Sequence, residues 1–228
     1  MTAQPILLLL PIISICIFNF GMLILIRVLF PTILTHPWKA PDKRERKRDK
    51  ETTVVFAGSF NPPHWGHLVM IRYLAERYGS VICCIGFNPS KQYDVTAQQR
   101  ADILKGMVSN ISLNNVRVDV VSGYIWRHAR AQNAKLFFRG IRTWAEDGAD
   151  ELKLLIQNTY GPLLLGRVWP INTVFLEGDP RYRGASSTLV RGLCVRIKRN
   201  EDQDGAMEEL KELVPESVLD QIVEVYGT

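Results

Sequence analysis

Only four cysteines occur in 228 residues, at Cys16, Cys83, Cys84 and Cys194. None stands at a zinc-ligand spacing, and no even framework emerges, which excludes a disulfide scaffold and a zinc module. The pattern predicts reduced, buried thiols in a reducing compartment. No charged side chain precedes Arg27. Basic excess is also missing from the body of the chain. Residues 1–50 hold eight Lys/Arg and three acids, which accounts for the whole net charge of +5. After residue 50 the charges balance at 20 basic and 20 acidic groups. The pI of about 9.1 therefore belongs to the N-terminal arm, and the remainder is no general nucleic-acid binder. There is no internal repeat. Apolar residues make up 46%, enough for a sizeable core.

Residues 6–26 form an apolar run broken only by Pro11, Ser14, Asn19 and Gly21. As a helix it would span roughly 30 Å, about one hydrocarbon core. It lacks the basic n-region and the small-x-small cleavage site of a signal peptide, and it is not the Arg-rich amphipathic presequence of a mitochondrial protein. The basic cluster over 39–50 follows it, which by the positive-inside tendency keeps the C-terminal side in the cytosol. The expectation is a single-pass transmembrane anchor over 1–35. A basic juxtamembrane linker over 36–51, suited to anionic lipid, would then lead into a domain over 52–228 on the cytosolic face.

From Thr52 onward the pattern alternates. Strands are predicted at 52–57, 81–86, 116–121, 135–138 and 172–176, and helices at 65–78, 96–109, 124–132, 144–158 and 186–197. Adjacent Cys83 and Cys84 should face opposite sides of their strand. Residues 206–226 read as two short helices separated by Pro215. Alternation of this kind predicts an α/β fold, a doubly wound parallel five-stranded sheet, with ligands at the carboxyl ends of the strands.

The chain is organised around Gly58-Ser59-Phe60-Asn61-Pro62-Pro63-His64-Trp65-Gly66-His67. A β-branched strand precedes this break, and a helical pattern through Leu68, Ile71, Leu74 and Ala75 follows it. A helix N-terminus offers unpaired N–H groups and the positive end of the dipole to phosphate. Gly58 should let a ligand approach the backbone. His64 and His67, three apart, either cap this helix or donate hydrogen bonds to phosphate oxygens as charge develops.

Three more stretches fall at strand ends or helix starts. Asn88-Pro89-Ser90-Lys91 follows the second strand and Arg139-Gly140-Ile141-Arg142 the fourth, while Ala185-Ser186-Ser187-Thr188 opens the helix after the fifth. Singly, an R-G-x-R is often structural and an S-S-T is often only an N-cap. Gathered at one sheet edge, the four would form a polyphosphate cradle.

The G-S-F-N-P-P-H-W-G-H stretch resembles the signature of the nucleotidyltransferase superfamily, and the four stretches in order resemble phosphopantetheine adenylyltransferase over about residues 52–226. That resemblance implies a Rossmann-like nucleotidyltransferase fold. It also implies adenylyl transfer from ATP to 4′-phosphopantetheine with Mg2+, giving dephospho-coenzyme A and pyrophosphate, and a homo-oligomer. The implied roles follow the motifs. Ser59 would touch both substrates. His67, with His64 beside it, would act on the ATP phosphates, and Lys91 would hold the attacking phosphate and the transferred group. Arg139 and Ile125 would lie on the pantetheine side. Phe60, Gly140, Ile141, Arg142, Asp150, Tyr182, Ser186, Ser187 and Thr188 would contact ATP, with Glu151 able to replace Asp150. Asn61 and His64 stand where bacterial members usually carry Asp and Thr, and residues 155–172 are several residues longer. G-S-F-N-P-x-H and S-S-T-x-x-R also resemble nicotinamide mononucleotide adenylyltransferases. The alternatives are therefore that enzyme, a phospho-alcohol cytidylyltransferase, or a non-catalytic nucleotide-binding membrane scaffold.

Overall fold

The computed structural model describes residues 4–34, 49–86 and 94–227. In chain order it contains α1 (Gln4–Leu29), β1 (Thr32–Leu34), β2 (Asp49–Gly58), α2 (Trp65–Arg77), β3 (Tyr78–Gly86), α3 (Ala97–Asn110) and β4 (Val116–Val121). Then come α4 (Ile125–Ala131), β5 (Leu136–Ile141), α5 (Trp144–Gly166), β6 (Asn172–Glu177), a 3-10 turn (Pro180–Tyr182), α6 (Ser187–Lys198), α7 (Gln203–Leu213) and α8 (Glu216–Tyr226).

All described strand pairs are parallel, in the order β1-β6-β5-β2-β3-β4. The chain winds outward from β2 through β3 and β4, then returns to β5 on the other side of β2. The winding direction thus reverses between β2 and β5, and a crevice opens there at the carboxyl ends of the strands. The loops after β2, β5 and β6 all border it.

Side-chain alternation divides the core. Val54 and Phe56 face a cluster with Leu68, Ile71 and Leu74 of α2, Ile103 and Leu104 of α3, and apolar residues of α6, α7 and α8. Val55 and Ala57 face the opposite layer with Ala129 of α4, while Ile141 and Phe175 pack on Leu155 of α5. Cys83 and Cys84 divide between the two layers as the period of two requires. Burial pushes the Cys84 thiol up to about 12 and the Cys194 thiol to about 11, so both stay protonated and unreactive.

Three expectations change. Among the described residues the sheet has six strands, because residues 32–34 pair with β6 through Thr32–Val174, Ile33–Phe175 and Leu34–Leu176. A three-residue strand that continues an apolar run leaves no periodicity to detect. Helix α5 continues to Gly166 through Pro162, past the expected end at 158. Gly161 is a packing residue there, since a Cβ would lie 3.0 Å from the Trp126 indole nitrogen.

The third concerns the N-terminus. The apolar run does form a helix, but among the described residues no helix is long and apolar enough to cross a membrane. The side chains of α1 are described from Ile13 onward. Its end docks on the segment after α5. Ile24 is buried, the Phe20 and Trp169 rings meet edge-on at 5.4 Å, and Arg27 lies over Trp169 and donates to the Pro170 carbonyl at 3.3 Å. Ile13, Ile17, Phe18 and Leu23 remain exposed.

Candidate active site

An open cleft occupies the β2/β5 crevice. It is lined by the start of α2 (His64, Gly66, His67, Met70), the β5–α5 turn (Gly140, Ile141, Arg142, Thr143, Asp147) and the segment from β6 to α6 (Glu177 to Pro180, Tyr182, Arg183, Ala185, Ser186, Ser187). Residues more than a hundred positions apart thus share one cavity.

The α2 start is built by its histidines. His64 is the N-cap, and its Nδ1 accepts the Gly66 N–H at 3.2 Å. His67 Nδ1 in turn accepts the His64 N–H at 3.3 Å, a reciprocal capping arrangement. A Cβ on Gly66 would stand 3.1 Å from His64 Nδ1, so glycine lets the ring lie over the backbone. The two imidazoles are 4.0 Å apart, and the Phe60 ring supports His67 at 5.0 Å. Burial pushes His64 down to about 4. Burial, then His64 and Arg139, hold His67 well below the usual histidine range. Both rings are neutral at neutral pH. With Nδ1 accepting, each carries its proton on Nε2 and offers an N–H donor. The capping and phosphate-donor readings are therefore compatible.

On the β5 side, Gly140 leaves room for α2, because a Cβ would meet Met70 Sδ at 2.6 Å. Arg142 is exposed at the cleft and fixed by Asp147. Its backbone N–H donates to Oδ2 at 2.7 Å and its guanidinium to Oδ1 at 2.5 Å, and Asp147 raises its already high pKa. On the α6 side Ser186 is the N-cap, accepting the Leu189 N–H at 3.1 Å. The Ser187 hydroxyl donates to the Pro62 carbonyl at 2.8 Å. The first helical bond runs from Val190 N–H to the Ser186 carbonyl, so the N–H groups of Ser187 and Thr188 precede it, where a helix attracts anions. The Trp65 and Tyr182 rings stack at 6.4 Å. Buried Asp179 is bound by Arg181, whose guanidinium holds the carboxyl below the usual range. Among the described residues no cluster of three or more His, Cys, Asp or Glu is placed to hold a metal ion.

Of the residues assigned to ATP, His67, Gly140, Ile141, Arg142, Tyr182, Ser186 and Ser187 line this cleft, as does His64. Ser59, Phe60, Asp150 and Thr188 do not. Phe60 is fully buried and fills the space over Gly58, where a Cβ would meet its ring at 2.9 Å. The missing side chain at Gly58 makes room for the loop's own Phe60, not for a ligand. Asp150 points outward, 3.8 Å from Lys153. Its neighbour Glu151 is buried and bridges Arg139 bidentately at 2.6 and 2.8 Å, and Arg139 also donates to the Ala57 carbonyl at 2.7 Å. Arg139 shares its sheet face with Phe137, opposite the face of Gly140. Ile125 lies on that same side, against the layer of Val55 and Ala57. Lys91, with Asn88, Pro89 and Ser90, lies outside the described residues. Asp147 and Asp179 are lining residues the sequence reading missed. For Asp147 the signal was an acid in the first turn after Arg-Gly-Ile-Arg.

The profile of the cytidylyltransferase-like family matches residues 55–193. The chain is 32% identical over 171 residues to the phosphopantetheine adenylyltransferase of Neisseria meningitidis serogroup C, covering 75% of this chain and 91% of that protein. It is 29% identical over 169 residues to that of Borreliella burgdorferi, covering 74% and 94%. Against that of Thermosynechococcus vestitus it is 36% identical over 142 residues, covering 62% and 79%. Its fold matches the solved nicotinic acid mononucleotide adenylyltransferase of Plasmodium falciparum in complex with NaAD, with a TM-score of 0.55 at 11% identity, over 76% of this chain and 95% of that one. The six-stranded parallel sheet, the H-x-G-H helix start at its switch point and these likenesses agree: the chain belongs to the phosphopantetheine adenylyltransferases, within the cytidylyltransferase-like nucleotidyltransferases.

Proposed function

We propose that the chain transfers the adenylyl group of ATP to 4′-phosphopantetheine, releasing pyrophosphate. One observation carries the reading. The capped start of α2, Arg142 and the start of α6 line one cleft at the carboxyl edge of the sheet. Two helix N-termini and a fixed guanidinium suit a triphosphate. The acceptor phosphate is already an anion, so no strong base is needed. Orientation and neutralisation of developing charge supply the catalysis.

In this scheme the His67 Nε2–H donates to the phosphate oxygens as charge builds, and His64 holds the helix start beneath it. Arg142 and the N–H groups at the start of α6 bind the polyphosphate. Arg139, Ile125 and Ser59 serve the phosphopantetheine side, with Lys91 on the attacking phosphate. Of the acids that line the cleft, Asp147 is bound to Arg142 and Asp179 to Arg181. Magnesium would enter as part of the substrate, Mg·ATP.

The deciding experiment supplies the full-length protein with ATP or CTP and with 4′-phosphopantetheine, nicotinamide mononucleotide or phosphocholine, and follows pyrophosphate. Release with ATP and phosphopantetheine alone is expected. Release only with another pair reassigns the acceptor, and none at all leaves a nucleotide-binding protein.

Attachment to a membrane through α1, with the linker 36–51 against anionic lipid and the catalytic domain on the cytosolic side, is part of the same proposal. The exposed apolar side chains of α1 support it. The full-length protein should float with vesicles that carry anionic lipid; protein left behind in the soluble fraction would refute attachment. Assembly into a homo-oligomer is likewise proposed and is read by light scattering.

A further inference from the structure

The loop over 59–63 carries α2 and its histidines, and its backbone is strained. Phe60 has φ 46°, a left-handed conformation unfavourable for a bulky side chain. Such a residue persists only where its surroundings over-determine it. Here three helices beyond the loop hold it. Fully buried Arg100 of α3 donates to the Ser59 carbonyl at 2.5 Å. On α6, Arg191 donates to the Asn61 carbonyl and Ser187 to the Pro62 carbonyl. The last contact comes from the end of the described chain: Tyr226, the final residue of α8, donates its hydroxyl to Asn61 Oδ1 at 2.8 Å.

We infer that Tyr226 is a positioning residue for adenylyl transfer: its hydroxyl holds the Asn61 side chain, and through it the loop that aims His64, His67 and the α2 N-terminus into the cleft. Tyr226 is 5% exposed, so water does not compete for this bond. Burial holds the phenol protonated, well above the usual tyrosine range and against the pull of the nearby Arg100 and Arg191 guanidinium groups, so its O–H stays available to donate to Asn61. The ring packs in the main core with Ile222 and Cys194, so the aromatic body serves stability while the hydroxyl serves the loop. The C-terminal helix, which lines no part of the cleft, thereby acts on it.

This inference rests on adenylyl transfer at the cleft, so its test carries one readout that does not need turnover. Y226F, N61A and the double variant are made in the full-length protein. In Y226F, kcat should fall about tenfold, as expected for a small misplacement of reacting groups, while the KM for ATP stays within about twofold. The melting temperature should stay within about 2 °C, because the ring is retained. Amide exchange over residues 58–67 should accelerate about tenfold, with α3 and β3 unchanged. Adding Y226F to N61A should change nothing further. A Y226F protein with native turnover and native exchange in the loop would overturn the inference, as would independent, multiplying effects in the double variant. Failure of the wild type to release pyrophosphate would refute the reaction, and the exchange result would still decide the loop's dependence on Tyr226.

Discussion

His67 Nδ1 accepts the backbone N–H of His64 at 3.3 Å, while His64 Nδ1 accepts that of Gly66 at 3.2 Å. Each ring thereby has its acceptor nitrogen bound to the helix start and its N–H on the other edge. His64 is buried, at 8% exposed, and His67, whose charged form burial disfavours still more, lines the cleft beside it. On the proposed reading this geometry divides their work: His64 would build the anion-binding end of α2, and His67 would supply the donor.

Removing that donor should affect the transition state more than the ground state. His67→Ala is expected to lower kcat on the order of 100-fold or more, with little change in the KM for ATP. Steady-state kinetics checks this; near-normal turnover would remove His67 from the chemistry.

The depressed histidines also set a pH dependence. A histidine buried neutral binds a proton less readily when folded than unfolded, so unfolding takes up protons and acid favours it. Stability from His64 is fully present above the unfolded value of about 6.5 and declines as the pH falls toward about 4. Over that window the loss from this group is on the order of 3 kcal/mol, with His67 adding in the same direction. Urea melts of the wild type should show the slope. His64→Asn keeps an N-cap acceptor and should flatten it, and equal slopes would show that the fall has another source.

Lys91 is expected to act on the group being transferred. Lys91→Ala should therefore lower kcat on the order of 100-fold, as for loss of a charge-stabilising group. An effect confined to the KM for ATP would move Lys91 out of that role.

The alternation of strands and helices was legible because both faces of a doubly wound sheet are buried, and each strand reads as a short apolar run. The gathering of H-x-G-H, Arg142 and Ser186-Ser187 was legible because that topology dictates which loops meet. What stayed hidden depends on one-residue offsets or on three-dimensional fit. Phe60 was assigned to ATP by its place in the motif, and only its φ of 46° shows the ring turned inward against Gly58 and His67. Asp150 and Glu151 differ by about 100° around α5, so either could face inward until the Thr143 cap sets the register. Strand β1 needed β6 beside it to become a strand at all.

Asp147 fixes Arg142 through its side chain and its backbone N–H. Asp147→Asn weakens the charged part of that bracket and leaves the arginine mobile. A mobile guanidinium binds phosphate less well without altering the reacting atoms, so the KM for ATP should rise about fivefold with kcat within about twofold. Titration of ATP against the variant reads this, and an unchanged KM would mean that Arg142 does not meet the nucleotide.

Glu151 and Asp150 give the sharpest contrast. The Arg139–Glu151 pair is nearly enclosed, with side chains 16% and 11% exposed, and Arg139 also ties β5 to the Ala57 carbonyl at the end of β2. Taking the charge from Glu151 strands a guanidinium that has little access to water. Glu151→Gln should cost about 3 kcal/mol of stability and raise the KM for phosphopantetheine, because Arg139 loses its bidentate support on the acceptor side. Asp150 is 92% exposed beside Lys153, and Asp150→Asn should shift stability by less than about 0.5 kcal/mol and leave both KM values unchanged. Denaturant melts and acceptor titrations on the two variants separate the residues. If Asp150→Asn raised the KM for ATP while Glu151→Gln behaved as wild type, the nucleotide-contacting acid would be Asp150, and α5 would have to turn by one residue about its axis.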